Sequence, residues 1–193
     1  FHSVSAFCNG GFDLMGHQQP YTSLTAYYND WLVNLVIMAL IIIGGIGFIV
    51  WDDICRNKWH VRKYLLQTKV VLLTTGIMVF GGAFLFYLLE RNALIADMSI
   101  SGKILTSLFS SVTARTAGFN TVDTQALSDG SKLLTMILMF IGGCPGSTAG
   151  GVKTTTIMVL LLYVHSNVKR TYSINIFGRR LEEEAVKRAG AIC

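Results

Sequence analysis

The clearest chemistry in this chain belongs to bare backbone. FHSVSAFCNGGFD opens the sequence at residues 1–13, and TARTAGFNT follows Phe109 and Val112 at residues 113–121. Both run through Phe, then Val, a hydroxyl residue and Ala, into a small-residue turn, Gly-Phe, and Asp or Asn. Setting Gly11-Phe12-Asp13 on Gly118-Phe119-Asn120 aligns the turns, with a one-residue gap in the segment before them. A dehydrated cation needs oxygens in place of its water shell, and glycine lets successive carbonyls face one axis with no side chain in the way. Taken singly, each motif could also be a tight outside turn whose Gly-Phe anchors the headgroup region. The duplication favours a loop that dips into the membrane and returns.

Other chemistries find less support. GSTAGGVKT at 146–154 invites comparison with a phosphate-binding loop, but Val152 stands where that motif wants Lys directly after its second Gly. No strand precedes it, and apolar helical segments flank it. His2, His17, His60 and His165 are isolated from one another, with no acid or nucleophile at catalytic spacing. Cys8, Cys55, Cys144 and Cys193 form no C-x-x-C pair, so neither a disulfide framework nor a zinc site is indicated. The chain is not expected to be an enzyme.

The elements that must position these turns are membrane helices. Hydrophobic residues make up 52% of the chain and charged ones only 14%, which is too apolar for an ordinary soluble domain. Many of its 19 glycines sit inside apolar stretches, where they permit close helix packing or irregular backbone facing a cavity. Trp31 to Trp51 carries no ionisable residue inside its apolar run and predicts one span, and Val70 to Leu89 predicts a second. A third apolar region from Leu133 to Val164 is broken by GGCPGSTAGGVKTTT, and neither half could cross alone, so the glycine-rich insert is expected at membrane depth. Ile100 to Val112 predicts a short helix that dips and returns.

Arg56, Lys58, Arg62 and Lys63 after the first span, and Lys169, Arg170, Arg179, Arg180, Lys187 and Arg188 in the tail, place both segments on the cytoplasmic side. The net charge of +5 sits mainly there, which suits anionic lipid and needs no nucleic acid. The tail stretch RRLEEEAVKRAG reads either as a short helix with i,i+4 ion pairs or, preferred, as a solvated connector toward a further span. IIIGGIG at 41–47 and FIGGCPG at 140–146 repeat the glycines at matching depth after each turn. The chain is therefore expected to hold one complete helix, re-entrant loop, helix unit and the second half of another, cut from something longer.

SAFCNGGFDL at 5–14, SSVTARTAGFNT at 110–121 and FIGGCPGSTAGGVKTTT at 140–156, in this order and topology, resemble the Trk/Ktr/HKT superfamily of potassium transporters. The match covers nearly the whole chain and is most like the membrane subunit of bacterial Ktr, from the second filter segment through the third repeat. The resemblance implies an all-α membrane protein of potassium-channel type, built from helix, re-entrant pore loop, helix repeats, with one broken transmembrane helix. Residues 1–63 would be the second half of one repeat, 64–166 a complete repeat, and 167–193 a cytoplasmic connector. The potassium filter would be the backbone of Cys8, Asn9, Gly10 and Gly11 in one repeat and of Arg115, Thr116, Ala117 and Gly118 in the next. The candidate gate is the Gly142 to Thr155 loop, with Gly142, Gly143, Cys144, Pro145, Gly146, Ser147, Thr148, Ala149, Gly150, Gly151 and Lys153 as its named residues. No T-V-G-Y-G run is present, so a less stringent preference for potassium over sodium is expected.

The resemblance also implies a multi-pass cell-membrane protein that dimerises and sits on a cytoplasmic nucleotide-binding regulatory ring. Potassium is the expected cargo and sodium the second candidate, and passive conduction and coupled symport both stay open. Two filter segments cannot surround an axis, so two further turns are expected beyond the two ends. The fourth repeat, with the arginine that the family places in its pore helix, is lacking.

Lys153 would oppose cations from beneath the filter, or snorkel to the interface. Arg115 is expected to point behind the filter and support its carbonyls, or to lie exposed at the outer mouth. Asp13, Asp123 and Asp129 would raise local cation concentration at the mouth or be solvated loop acids. Competing readings of the whole are a non-conducting structural segment and a membrane nucleotide-binding module using GSTAGGVKT.

Overall fold

The structure is a computed structural model that describes residues 1–17, 22–58, 60–169, 175–176 and 179–180. Its helices are α1 (His2–Phe7), α2 (Trp31–Ile46), α3 (Phe48–Asn57), α4 (Leu66–Glu90), α5 (Ile100–Thr113), α6 (Asp129–Phe140) and α7 (Thr154–Val168). A two-residue antiparallel ladder, β1 (Asn175–Ile176) with β2 (Arg179–Arg180), follows α7. The remainder of the RRLEEEAVKRAG stretch lies outside the described residues.

Three helices start on side chains that accept from their first free amides, which is how an Asp or Ser before an apolar run ends a loop. Asp30 accepts from Leu32 and Val33, Ser99 from Gly102, and Ser128 from Ser131. Asn34 in α2 is fully buried and donates its amide to the carbonyls of Tyr27 and Asp30, both at 2.7 Å, fixing the approach to that helix.

α4 has 25 residues, about 37 Å at 1.5 Å per residue, enough to cross a membrane. Leu73, Ile77, Phe80, Phe84 and Leu88 recur on one of its faces and are all exposed, Phe80 at 69%. An apolar stripe of this length left open on a 25-residue helix needs an apolar partner, lipid or other protein. Its other side carries Gly82 against α5. A methyl at Gly82 would lie 2.4 Å from Ser111 Oγ, and that hydroxyl is shared between the Met78 and Val79 carbonyls at 3.0 and 2.9 Å. Small residues thus let the short helix press into the long one.

The expected Trp31–Trp51 span is not one straight helix. α2 stops at Ile46, and α3 leaves at 95° to it. Sixteen residues reach only about 24 Å, short of the roughly 30 Å core. Gly47 makes the corner with φ 96°, and a methyl there would sit 2.6 Å from the Pro145 carbonyl. The groups freed by the break find partners in space: Phe48 N–H donates to Gly146 O at 3.1 Å, and Trp51 Nε1 to Ile43 O at 3.0 Å. A helix can break at membrane depth only where its backbone is paired again in this way. The chain therefore has a second broken helix besides the expected one, where α6 ends at Phe140 and α7 begins at Thr154.

The largest buried cluster joins Ile37, Met38 and Ile41 of α2, Val79 of α4, and Leu105, Phe109 and Val112 of α5 to Ala6, Ala117 and Phe119. Two carboxylates tie the helix ends. Glu90, fully buried at the end of α4, accepts from the amide and hydroxyl of Ser128 at 2.8 and 2.7 Å. Asp53 of α3 accepts from the Leu65 amide at 2.9 Å and the Asn57 side chain at 2.7 Å.

Candidate functional site

Each glycine turn begins where a short helix is forced to stop. α1 ends at Phe7, and Asn9, with φ 51°, turns the chain left-handed. Asn9 N–H then meets Ala6 O at 3.1 Å and Gly10 N–H meets Ser5 O at 2.9 Å, the paired bonds of a Schellman cap. α5 ends at Thr113, with Arg115 N–H on Val112 O and Ala117 N–H on Thr113 O. The positive φ values at Asn9 and Gly11 recur at Thr116 and Gly118, in the register that sets Gly-Phe-Asp on Gly-Phe-Asn. The helix ends fall one residue out of that register, so the gap lies at the caps. Thr116 at φ 68° is a β-branched residue in a region such residues avoid, and backbone strain of this kind persists only where the surroundings impose it.

The two turns meet backbone to backbone. A methyl on Gly11 would lie 2.5 Å from Ala117 O and 2.9 Å from Gly118 Cα, and one on Gly118 would lie 3.1 Å from Gly11 Cα. Their exits are joined as well, since Leu24 N–H donates to Asn120 O at 2.9 Å and Asn120 N–H to Ser23 Oγ at 3.2 Å. The repeated phenylalanines differ in environment. Phe119 is fully buried in the main cluster, whereas Phe12 is 72% exposed.

Residues 141–153 form a loop that folds on itself and is hydrogen-bonded to both turns. Gly143 N–H donates to Gly150 O and Gly142 N–H to Val152 O, and a methyl at Gly142 would be 1.7 Å from Gly150 O. The carbonyls of Gly45 and Gly44 in α2 accept from the amides of Cys144 and Thr148 at 3.0 and 3.3 Å. Thr148 Oγ1 donates to Phe7 O at 3.0 Å and accepts from Asn9 Nδ2 at 2.9 Å, which fastens the loop to the first turn. Gly150 N–H donates to Thr116 Oγ1 at 3.2 Å, which fastens it to the second.

Lys153 Nζ bonds to the loop's own Ala149 carbonyl at 2.9 Å. Arg115 is only 5% exposed and lies beside the fully buried Cys144 thiol, so it is a junction between turn and loop and not a group at the mouth. The carbonyl bonds expected of it are not among its described contacts. Asp13 accepts from Met15 N–H and Asp123 from Gln125 N–H, each closing its own local turn, while Asp129 is in the first turn of α6.

The roles of Thr148, Asn9 and Thr116 as fasteners, and the close contact of Gly44 with Phe7 O, were missed in the sequence. Paired glycines in an apolar helix were the available signal for Gly44. Nothing local marked Thr148.

Residues 1–190 match the family model described as TrkH, cation transport protein. The chain belongs to the TrkH family. Among its relatives, the potassium/sodium uptake protein NtpJ of Enterococcus hirae is 44% identical over 190 residues, covering 98% of this chain and 41% of that protein. The Ktr system potassium uptake protein B of Vibrio alginolyticus is 34% identical, over 100% of this chain and 42% of that one. The crystal structure of the potassium transporter TrkH from Vibrio parahaemolyticus shares the fold, with a TM-score of 0.81 at 24% identity over 98% of this chain and 40% of that one. This TrkH-family chain thus spans about two fifths of the length of the relatives it matches. The fold is that of a helical membrane protein, and the family is one of cation transporters, not of enzymes.

Proposed function

We propose that this segment supplies two of the backbone-oxygen turns of a potassium-conducting pore, Cys8 to Gly11 and Arg115 to Gly118, with the 141–153 loop as its gate. The carrying observation is that the two turns repeat the same left-handed positions and touch at Gly11 and Gly118, while one loop is hydrogen-bonded to both. Duplicated left-handed positions, with the two glycines in backbone contact, are a device for presenting main-chain carbonyls to a shared axis. Both turns here would re-enter the membrane from outside, and the segment conducts only when the rest of the protein closes the ring. Sodium is the second cargo, in keeping with the name of the Enterococcus relative.

A phosphate-binding role for GSTAGGVKT is disfavoured by the amides of Ser147, Thr148, Ala149, Gly150, Val152 and Thr154, which already donate to protein oxygens, and by Lys153, which is bound to Ala149 O. The cell membrane, a homodimer, and a cytoplasmic nucleotide-binding ring docked on the basic flanks belong to the same reading, as does contact with anionic lipid. The test is potassium flux into liposomes bearing the full-length protein. Gly118→Val should abolish flux, because Gly118 has φ 88° and its added methyl would press on Gly11. Flux equal to that of the parent protein sinks the pore assignment.

A further inference from the structure

Two residues that line one small cavity at the turns each carry a buried polar atom without a protein hydrogen-bond partner. The first is Nε of Arg115, a side chain 5% exposed. The second is Oδ1 of Asn9. Its orientation follows from hydrogen-bond logic: the Thr148 hydroxyl commits its proton to Phe7 O, so toward Asn9 it can only accept, which draws Nδ2 to it and leaves Oδ1 on the other side. Arg115 and Asn9 both line a cavity of ≈ 10 Å³ walled also by Ile41, Gly45, Gly143 and Ala149. That is about the room one water needs, and a water also needs at least two polar partners.

We propose that one ordered water occupies this cavity, accepting from Arg115 Nε–H and donating to Asn9 Oδ1. The chemistry selects water over ions. A cation would face the guanidinium, and an anion would face the Asn9 carbonyl oxygen. Left bare, each atom would carry the full desolvation penalty of an unmade hydrogen bond. The bridge joins the first turn through Asn9 to the second through Arg115, and the loop closes its walls through Gly143 and Ala149. Arg115 is thereby a positioning residue for both turns. Displacing the loop opens the cavity and frees the water, so both turns feel the state of the loop. That last consequence rests on the pore reading, whereas the water site does not.

The test is a map of the full-length protein at about 2 Å, with the loop in place. A spherical peak is expected within about 2.7–3.2 Å of both Arg115 Nε and Asn9 Oδ1, and Arg115→Met should erase it while Asn9→Asp keeps it. No peak with both side chains well defined, or a direct contact between them, overturns the proposal. So does an anomalous signal at this position in thallium or bromide, which would make it an ion site. In flux measurements Arg115→Met should lower the potassium-to-sodium ratio more than the total flux. An unaltered ratio together with an intact peak in that variant removes Arg115 from the bridge. Loss of flux in Gly118→Val tests the pore separately, so the two ideas can fail independently.

Discussion

Replacing Thr148 with Val keeps the shape of the side chain and removes the one hydroxyl that fastens the loop to the first turn. Two hydrogen bonds go, to Phe7 O at 3.0 Å and from Asn9 Nδ2 at 2.9 Å. At about 1 kcal/mol net for each, the loop-seated state loses about 2 kcal/mol, a factor of roughly 30. A loop displaced about 1% of the time would then be displaced roughly a quarter of the time. Rubidium or potassium uptake into liposomes containing the full-length protein, with no regulatory partner added, reads this directly. Basal flux should rise by at least tenfold. The structure adds an internal control, because Asn9→Gly removes the other side of the bond while tolerating φ 51°. The double variant should show a coupling of about 1 kcal/mol, since both changes delete one shared interaction. Flux within twofold of the parent in Thr148→Val, with no coupling to Asn9→Gly, refutes the idea that this contact holds the gate.

Two predictions concern the scaffold. Gly47→Ala should destabilise the protein by about 1–3 kcal/mol, because it forces a side chain onto φ 96° and places a methyl 2.6 Å from Pro145 O; a melting temperature in detergent equal to the parent's would show that the α2–α3 corner is not fixed by that contact. Ser128→Ala removes both the cap of α6 and a hydroxyl bond to buried Glu90, for a loss of about 2 kcal/mol read as a lower melting temperature, and an unchanged value would mean that the carboxylate is held by the backbone amides alone.

The sequence by itself determined the apolar lengths, the interruption between Phe140 and Thr154, and the starts of α2 and α5 at Trp31 and Ile100, whereas α6 starts at Asp129, four residues before the apolar run that begins at Leu133. It also determined the duplicated turns, down to the one-residue gap that the structure places at the helix caps. All of these rest on local causes: the spacing of apolar residues, a capping oxygen next to free amides, and glycine where φ must be positive. Only the tertiary structure decided that α2 breaks at Gly47, that Thr148 and Gly150 reach the two turns, and that Arg115 and Asn9 share a cavity. A glycine inside an apolar helix costs little to leave helical. It becomes a corner here because Gly146, far along the chain, offers a carbonyl to Phe48 N–H, and that pairing is a property of the assembled backbone and not of any window of residues.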